Sequence, residues 1–159
     1  MKHVTIFAAL AALLLMAGCG KDSDISGSLE FKHSGCAADT KGLSSGEPPF
    51  LYLRYTPSGL AITRTNAQFS CIIKEHPEAI VCEVSVEGDD IYYSVHEWDG
   101  PVANCICDVE ALSSTVTGLK TGKEYVLHYI CEEEFIPISV PFNESLNLKL
   151  DLRDYSNFR

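Results

Sequence analysis

The sequence predicts an all-β domain, a two-sheet sandwich or a closed barrel of about eight to ten short strands. Three observations carry this prediction. Apolar and polar residues alternate with period two along most of the chain after Phe50, the spacing of a strand with one face buried and the other in water. Turn residues separate the alternating runs, Thr56-Pro57-Ser58-Gly59 and Gly88-Asp89-Asp90 foremost. There Pro presets a turn dihedral, and Gly and Asp tolerate the conformations a reversal requires. No segment keeps an amphipathic helical period for long enough to make a helix.

The chain opens on a different kind of segment. Lys2 supplies a positive start, Val4 to Met16 is apolar apart from Thr5, and Met16-Ala17-Gly18 sets small residues before Cys19. An apolar run of this length is an export signal; a membrane-spanning helix needs about 20 residues. Met16-Ala17-Gly18-Cys19 resembles the lipobox of bacterial lipoproteins. The resemblance implies cleavage after residue 18 and an acylated Cys19 that anchors the protein in a membrane. Gly20, standing where an acidic residue would signal retention, implies the outer membrane of the cell envelope as the destination. Residues 19–28 are small and polar and lack aromatics, so they read as a tether that buries too little to order itself. Residues 29–159 then form one domain, a length suited to a single core.

Within that domain Gly35 to Pro49 is rich in Gly, Ser and Pro and reads as a long surface loop pinned by Cys36. Phe50–Tyr55 and Leu60–Thr65 flank the Thr56–Gly59 turn as a hairpin. Phe69, Cys71 and Ile73 alternate with Ser70, Ile72 and Lys74 as a further strand. Ile80–Glu87 and Ile91–Trp98 meet at Gly88-Asp89-Asp90, with Val84, Ile91, Tyr93 and Val95 directed inward. Asn104–Cys107, Ser113–Thr117, Glu124–Cys131, Phe135–Val140 and Leu146–Leu152 complete the set, the last alternating four leucines with Asn147, Lys149, Asp151 and Arg153.

The formal charge is −10, and losing Lys2 with the signal lowers it by one more. An acidic balance argues against nucleic acid as a partner. The acids are concentrated: between Glu75 and Leu119 there is no Lys or Arg, and ten Asp or Glu. This stretch reads either as a well-solvated face or as a surface for a partner with basic groups.

Besides Cys19 the chain has six cysteines, Cys36, Cys71, Cys82, Cys105, Cys107 and Cys131. An even number in an exported chain is a disulfide framework. Cys105 cannot pair with Cys107, because residues two apart on a strand hold their β-carbons roughly 6.6 Å apart and a disulfide needs about 4 Å. Loop closure does not choose among the other pairings: about 4 kcal/mol for Cys82 with Cys131 stands against about 3 for Cys71 with Cys82. A redox dithiol at Cys105-Ile106-Cys107 would need nearby positive charge, and its neighbours are Asp108 and Glu110. Zinc ligands arrive as two close pairs, and the cysteines offer one. His96-Glu97 lacks the second histidine of a zinc protease, and no Gly-x-Ser-x-Gly occurs. The sequence thus assigns no catalytic residue, metal or cofactor. The best candidate for a ligand platform is the outer face of Ile91–Trp98, where Tyr92, Ser94, His96 and Trp98 line up if Ile91, Tyr93 and Val95 point inward. The alternative for Trp98 is a place in the inter-sheet core.

Thr117-Gly118-Leu119-Lys120-Thr121-Gly122-Lys123-Glu124-Tyr125 resembles the corner between sheets of fibronectin type III and other immunoglobulin-like domains. The resemblance implies an immunoglobulin-like sandwich with the Tyr125 hydroxyl bonded back to main chain near Leu119. Across most of the mature chain, His33-Ser34-Gly35-Cys36, Asn66-Ala67-Gln68-Phe69-Ser70-Cys71, Val84 to Ile91, Cys105-Ile106-Cys107-Asp108 and Gly118-Leu119 with Gly122 and Tyr125 resemble small lipoproteins of Bacteroides-type bacteria. That group has no assigned activity. The resemblance implies that Cys36 and Cys71 pair with Cys105 and Cys107 in some order, leaving Cys82, which it does not require, to join Cys131. The functional expectation is a membrane-anchored extracytoplasmic lipoprotein, a non-enzymatic module that binds a protein, peptide or glycan or serves as an accessory part of a larger envelope assembly. The alternative is a small envelope enzyme, either a dithiol oxidoreductase or a hydrolase.

Overall fold

The computed structural model describes residues 29–36, 48–101, 103–131 and 134–155, with backbone alone at 29–31, 131 and 134. The signal, the tether with Cys19 and most of the Gly35–Pro49 loop lie outside the described residues. Among the described residues there are nine strands: β1 (Leu29–His33), β2 (Phe50–Thr56), β3 (Gly59–Ser70), β4 (Ile80–Glu87), β5 (Asp90–Glu97), β6 (Ile106–Val116), β7 (Lys123–Cys131), β8 (Glu134–Phe142) and β9 (Asn147–Asp151). They form two packed sheets, one ordered β1-β6-β3-β2-β9 and the other β4-β5-β7-β8. The fold is therefore an all-β sandwich.

The core is what the alternation dictates. Leu51, Leu53, Leu60, Ile62, Leu112 and Val116 of the five-stranded sheet are buried, as are Ile91, Tyr93, Val95, Leu127, Tyr129, Ile138, Val140 and Phe142 of the other. In the Thr56–Gly59 turn the Thr56 hydroxyl accepts from Gly59 N–H (3.1 Å) and donates to Gly59 C=O (2.8 Å). Gly59 is obligatory: a Cβ there would stand 2.1 Å from the Val116 carbonyl oxygen.

Besides β1, which the sequence reading does not name, the strands depart from it in three respects. First, β3 and β6 are long strands of 12 and 11 residues, each of which the sequence divides into two runs. Asn66, with φ 53°, lies in the left-handed region in the middle of β3, and it turns the side chains that follow to the opposite face. The buried set on β3 changes from Leu60 and Ile62 to Ala67 and Phe69, and on β6 from Cys107 and Val109 to Leu112, Ser114 and Val116. Pairing continues on either side, Thr65 with Ala111 and Ala67 with Val109. Second, Cys71–Lys74 is a 3-10 turn and no strand, its start capped by the Ser70 hydroxyl accepting from Ile72 N–H. Third, β5 and β7 run parallel, because the chain crosses to the other sheet as β6 between them. The immunoglobulin sandwich is built from two antiparallel sheets.

The topology gives the sandwich two distinct ends. β6 starts at Ile106 and finishes at Val116, which pairs with Leu29 of β1 and Leu60 of β3. The chain entry at Leu29, the Thr56–Gly59 turn and the 117–122 corner therefore share one end. The ends of β3, β5 and β7 and the start of β8 lie at the other, with Cys71, Cys105 and Cys107.

Candidate functional site

At the second end, two cross-links fasten the start of β6. Cys36 is joined to Cys107 and Cys71 to Cys105, each with its Cα atoms 5.5 Å apart. Cys71 N–H also donates to the Cys105 carbonyl (2.9 Å). Cys105 and Cys107 are thus tied to separate segments of chain, and Ile106 between them is exposed. The Ser70 hydroxyl accepts from Ala103 N–H (2.8 Å), and the Ser70 N–H donates to the Glu97 carboxylate, fixing the 98–105 connection against β3. The bond between Cys82 and Cys131 is not formed. Cys82 pairs in register with Val95, and Val95 with Cys131. The two cysteines therefore stand two strand spacings apart, about 10 Å, beyond disulfide reach. Cys82 is a free thiol that contacts the Ser114 hydroxyl at 3.7 Å, inside the sandwich. The same hydroxyl meets the Tyr93 hydroxyl at 2.7 Å. Burial pushes the Cys82 thiol and the Tyr93 phenol above their ordinary values, so neither is a nucleophile at neutral pH.

Tyr125 opens β7 at the corner between sheets. Its hydroxyl accepts from Lys120 N–H at 2.9 Å, and its ring lies edge-on to Phe142 with centroids 6.3 Å apart.

The outer face of the four-stranded sheet carries the aromatic groups. Its registered rows can be read across the strands. Glu87, Asp90, Val126 and Ser139 form one, Ser85, Tyr92, His128 and Pro137 the next, and Glu83, Ser94, Ile130 and Phe135 the third. Tyr92 stacks on His128 (centroids 4.6 Å, planes 16°), and His128 stacks on Phe135 (5.0 Å, 22°). Three rings thus form one row across β5, β7 and β8. His128 Nε2 lies 2.6 Å from Asp90 Oδ1, and its Nδ1 is buried without a hydrogen-bond partner. Phe135 ends the row at the sheet edge and is 55% exposed.

The row differs from the one expected along β5. Tyr92 belongs to it. His96 lies on the same face, beside the Ser94 hydroxyl (3.4 Å). Trp98 does not continue it. The strand ends at Glu97, Trp98 N–H donates to Ala79 C=O (2.9 Å), and the indole packs half-buried against the core. The His76 ring lies 5.4 Å away, and Gly100 is so close that a Cβ there would come within 2.5 Å of the indole. The indole Nε1 is buried with no partner. His128 and Phe135 were missed because their place depends on β7 pairing in parallel with β5, which period-two alternation does not report. The visible signal was the outward set Val126, His128 and Ile130, unusually apolar for a solvated face.

Among the described residues the remaining histidines, His33 and His76, each meet a nearby polar group. His33 Nδ1 accepts from Gly35 N–H (3.1 Å) while Nε2 meets the Pro77 carbonyl (2.9 Å), and His76 pairs with Glu78 at 3.0 Å. Among the described residues no three His, Cys, Asp or Glu side chains gather as a metal site, and no helix is long and apolar enough to cross a membrane. Comparison with protein-family models, with curated proteins and with solved structures found no match.

Proposed function

We propose that this protein is a non-enzymatic binding module of the bacterial envelope, held by an acylated Cys19 in the outer membrane, with the outer face of the β4-β5-β7-β8 sheet as its binding surface. The observation that carries the reading is the stacked row Tyr92–His128–Phe135, ending in a phenylalanine more than half exposed. Its neighbours Val126, Ile130 and Pro137 extend the apolar surface on an otherwise acidic face. Contiguous exposed apolar surface with a polar rim is characteristic of interaction sites. Two features support the non-enzymatic assignment. The nitrogen of His128 opposite its carboxylate partner is enclosed, so Asp90–His128 offers no base to a nucleophile. Cys105 and Cys107 are bound to different partners and do not form a dithiol. The Tyr125 corner favours kinship with immunoglobulin-like sandwiches, and the parallel β5–β7 pair marks the difference from them.

The two parts of the proposal are tested separately. Cys19→Ser should abolish incorporation of an alkyne-labelled fatty acid and move the protein to the soluble fraction; unmutated protein that fractionates as soluble defeats the anchor. Hydroxyl-radical footprinting compares the protein in isolated outer membranes with the purified protein. Protection of Tyr92 and Phe135 in the membranes is expected, and equal oxidation in both settings removes the binding face.

A further inference from the structure

We infer that the ligand of this face is a basic, extended peptide segment of a partner protein and not a glycan. The inference rests on the proposed binding face and assigns the chemistry of its occupant.

Charge is the first ground. The apolar patch is bordered on the β4 side by Glu83 and Glu87, both exposed, and toward the corner by Asp90 and Glu124. The strands of this sheet contain a single Lys or Arg, Lys123, and it is paired with Asp89. The rings therefore sit in a field of one sign, which attracts a cationic partner and repels an anionic one.

The geometry of the rings is the second ground. A pyranose binds by lying flat on an open aromatic face. Here both faces of His128 are covered by its neighbours, and Tyr92 and Phe135 each turn one face to it. The middle ring has no free face, and the most open ring of the row is Phe135, 55% exposed at the margin of the sheet. Aliphatic groups such as Ile130 and Pro137 suit the side chains of a peptide, and the exposed ring of Phe135 suits a guanidinium or ammonium group.

The third ground decides how the peptide lies. β8 is an edge strand, and Phe142 C=O points inward to accept from Gly122 N–H. Residues 135, 137, 139 and 141 then direct their backbone groups outward, and two of them are proline. Pro137 and Pro141 leave this edge only the Phe135 and Ser139 N–H groups as donors, an interrupted set that disfavours strand addition, so the peptide crosses the face. From Glu83 to Phe135 is three strand spacings, roughly 14 Å, which about four extended residues cover. The segment thus needs an apolar side chain over Ile130 and Phe135 and basic ones near Glu83 and Glu87.

Fluorescence anisotropy on the full acylated chain in a neutral polyoxyethylene detergent tests this. The probe is a labelled hexapeptide of alternating lysine and leucine; the controls are the glutamate-for-lysine peptide and labelled chito- and malto-oligosaccharides. The lysine peptide should bind, weaken at least tenfold with Phe135→Ala and again with Glu83→Gln/Glu87→Gln, and weaken steeply with salt. The glutamate peptide and sugars should not bind. Phe135 and both glutamates are exposed, so matching thermal unfolding curves certify the variants. Binding of a sugar that Phe135→Ala abolishes overturns the peptide assignment while leaving the face intact. Lysine-peptide binding that is absent, or indifferent to both variants, overturns the inference; footprint protection at Tyr92 and Phe135 then shows whether the face itself survives.

Discussion

A single hydroxyl holds the passage from one sheet to the other. Tyr125 is buried against Phe142, and its oxygen is the acceptor for a Lys120 N–H that no strand partner satisfies. Tyr125→Phe keeps the ring and removes only that acceptor, so it should cost about 1 kcal/mol in a urea titration, with the slope unchanged. A loss near zero would mean that water replaces the bond without penalty. Tyr125 could be read from the sequence because the corner is local: a leucine, a glycine turn and a tyrosine within nine residues. Trp98 left two readings open, the outer face of β5 by period two or a place against the core; the strand stops one residue earlier, and the indole takes the second, packing against the core close to Gly100.

Between the sheets, burial of Tyr93 and Cys82 makes stability depend on alkaline pH. Both groups keep their protons in the folded protein beyond the point at which the unfolded chain releases them, about pH 8.5 for the thiol and 10 for the phenol. Above those values the unfolded state binds fewer protons, and stability falls, at no more than about 1.4 kcal/mol per pH unit for each group and less for the partly exposed thiol. Stability should therefore be flat through neutral pH and decline from about pH 9. Cys82→Ala/Tyr93→Phe should flatten that decline relative to the parent; identical slopes in both proteins would show that other groups govern it.

At the scale of the element, β3 and β6 show where periodicity succeeds and where it stops. Alternation finds Leu60–Thr65 and most of Ser113–Thr117 but reaches only the far tips of the other halves, residues 69–70 and 106–107, and it divides the strands because a reversal of facing looks like a break between them. The reversal resides in Asn66, whose amide donates to the Pro48 carbonyl at 3.4 Å and whose backbone tolerates positive φ better than other non-glycine residues. Asn66→Gly should hold the kink at little cost, whereas Asn66→Val should lose about 1–2 kcal/mol, since a β-branched residue is strained in that region. Chemical denaturation of the two variants checks this, and equal stabilities would refute the assignment. The paired segments on either side keep their registers in any case. β1 went unread for a different reason: its five residues alternate too briefly to stand out beside the tether.

For the whole molecule, the decisive relation is between the chain entry and the disulfide-linked end. Leu29 lies opposite Val116, beside the corner; Ile106, both disulfides, Trp98 and Phe135 lie at or toward the far end. β6 spans 11 residues between these ends, roughly 35 Å. Neither sheet order nor this polarity follows from composition or alternation, because both depend on which strands pair over long separations in sequence. If Cys19 is the anchor, a tether entering at the corner holds that end toward the membrane and carries the disulfide end outward, with the open end of the ring row at Phe135. The only tryptophan in the chain, Trp98, reports this arrangement. Its half-buried indole should emit at short wavelength and resist iodide, and in vesicles containing doxyl-labelled lipid it should show no quenching beyond that of the unanchored Cys19→Ser protein. A tyrosine placed at Pro57, in the turn near the entry, should by contrast be protected from water-soluble iodination when the chain is anchored. Strong doxyl quenching of Trp98 would mean that the disulfide end faces the bilayer, and the ring row would then be oriented toward lipid and away from a soluble partner.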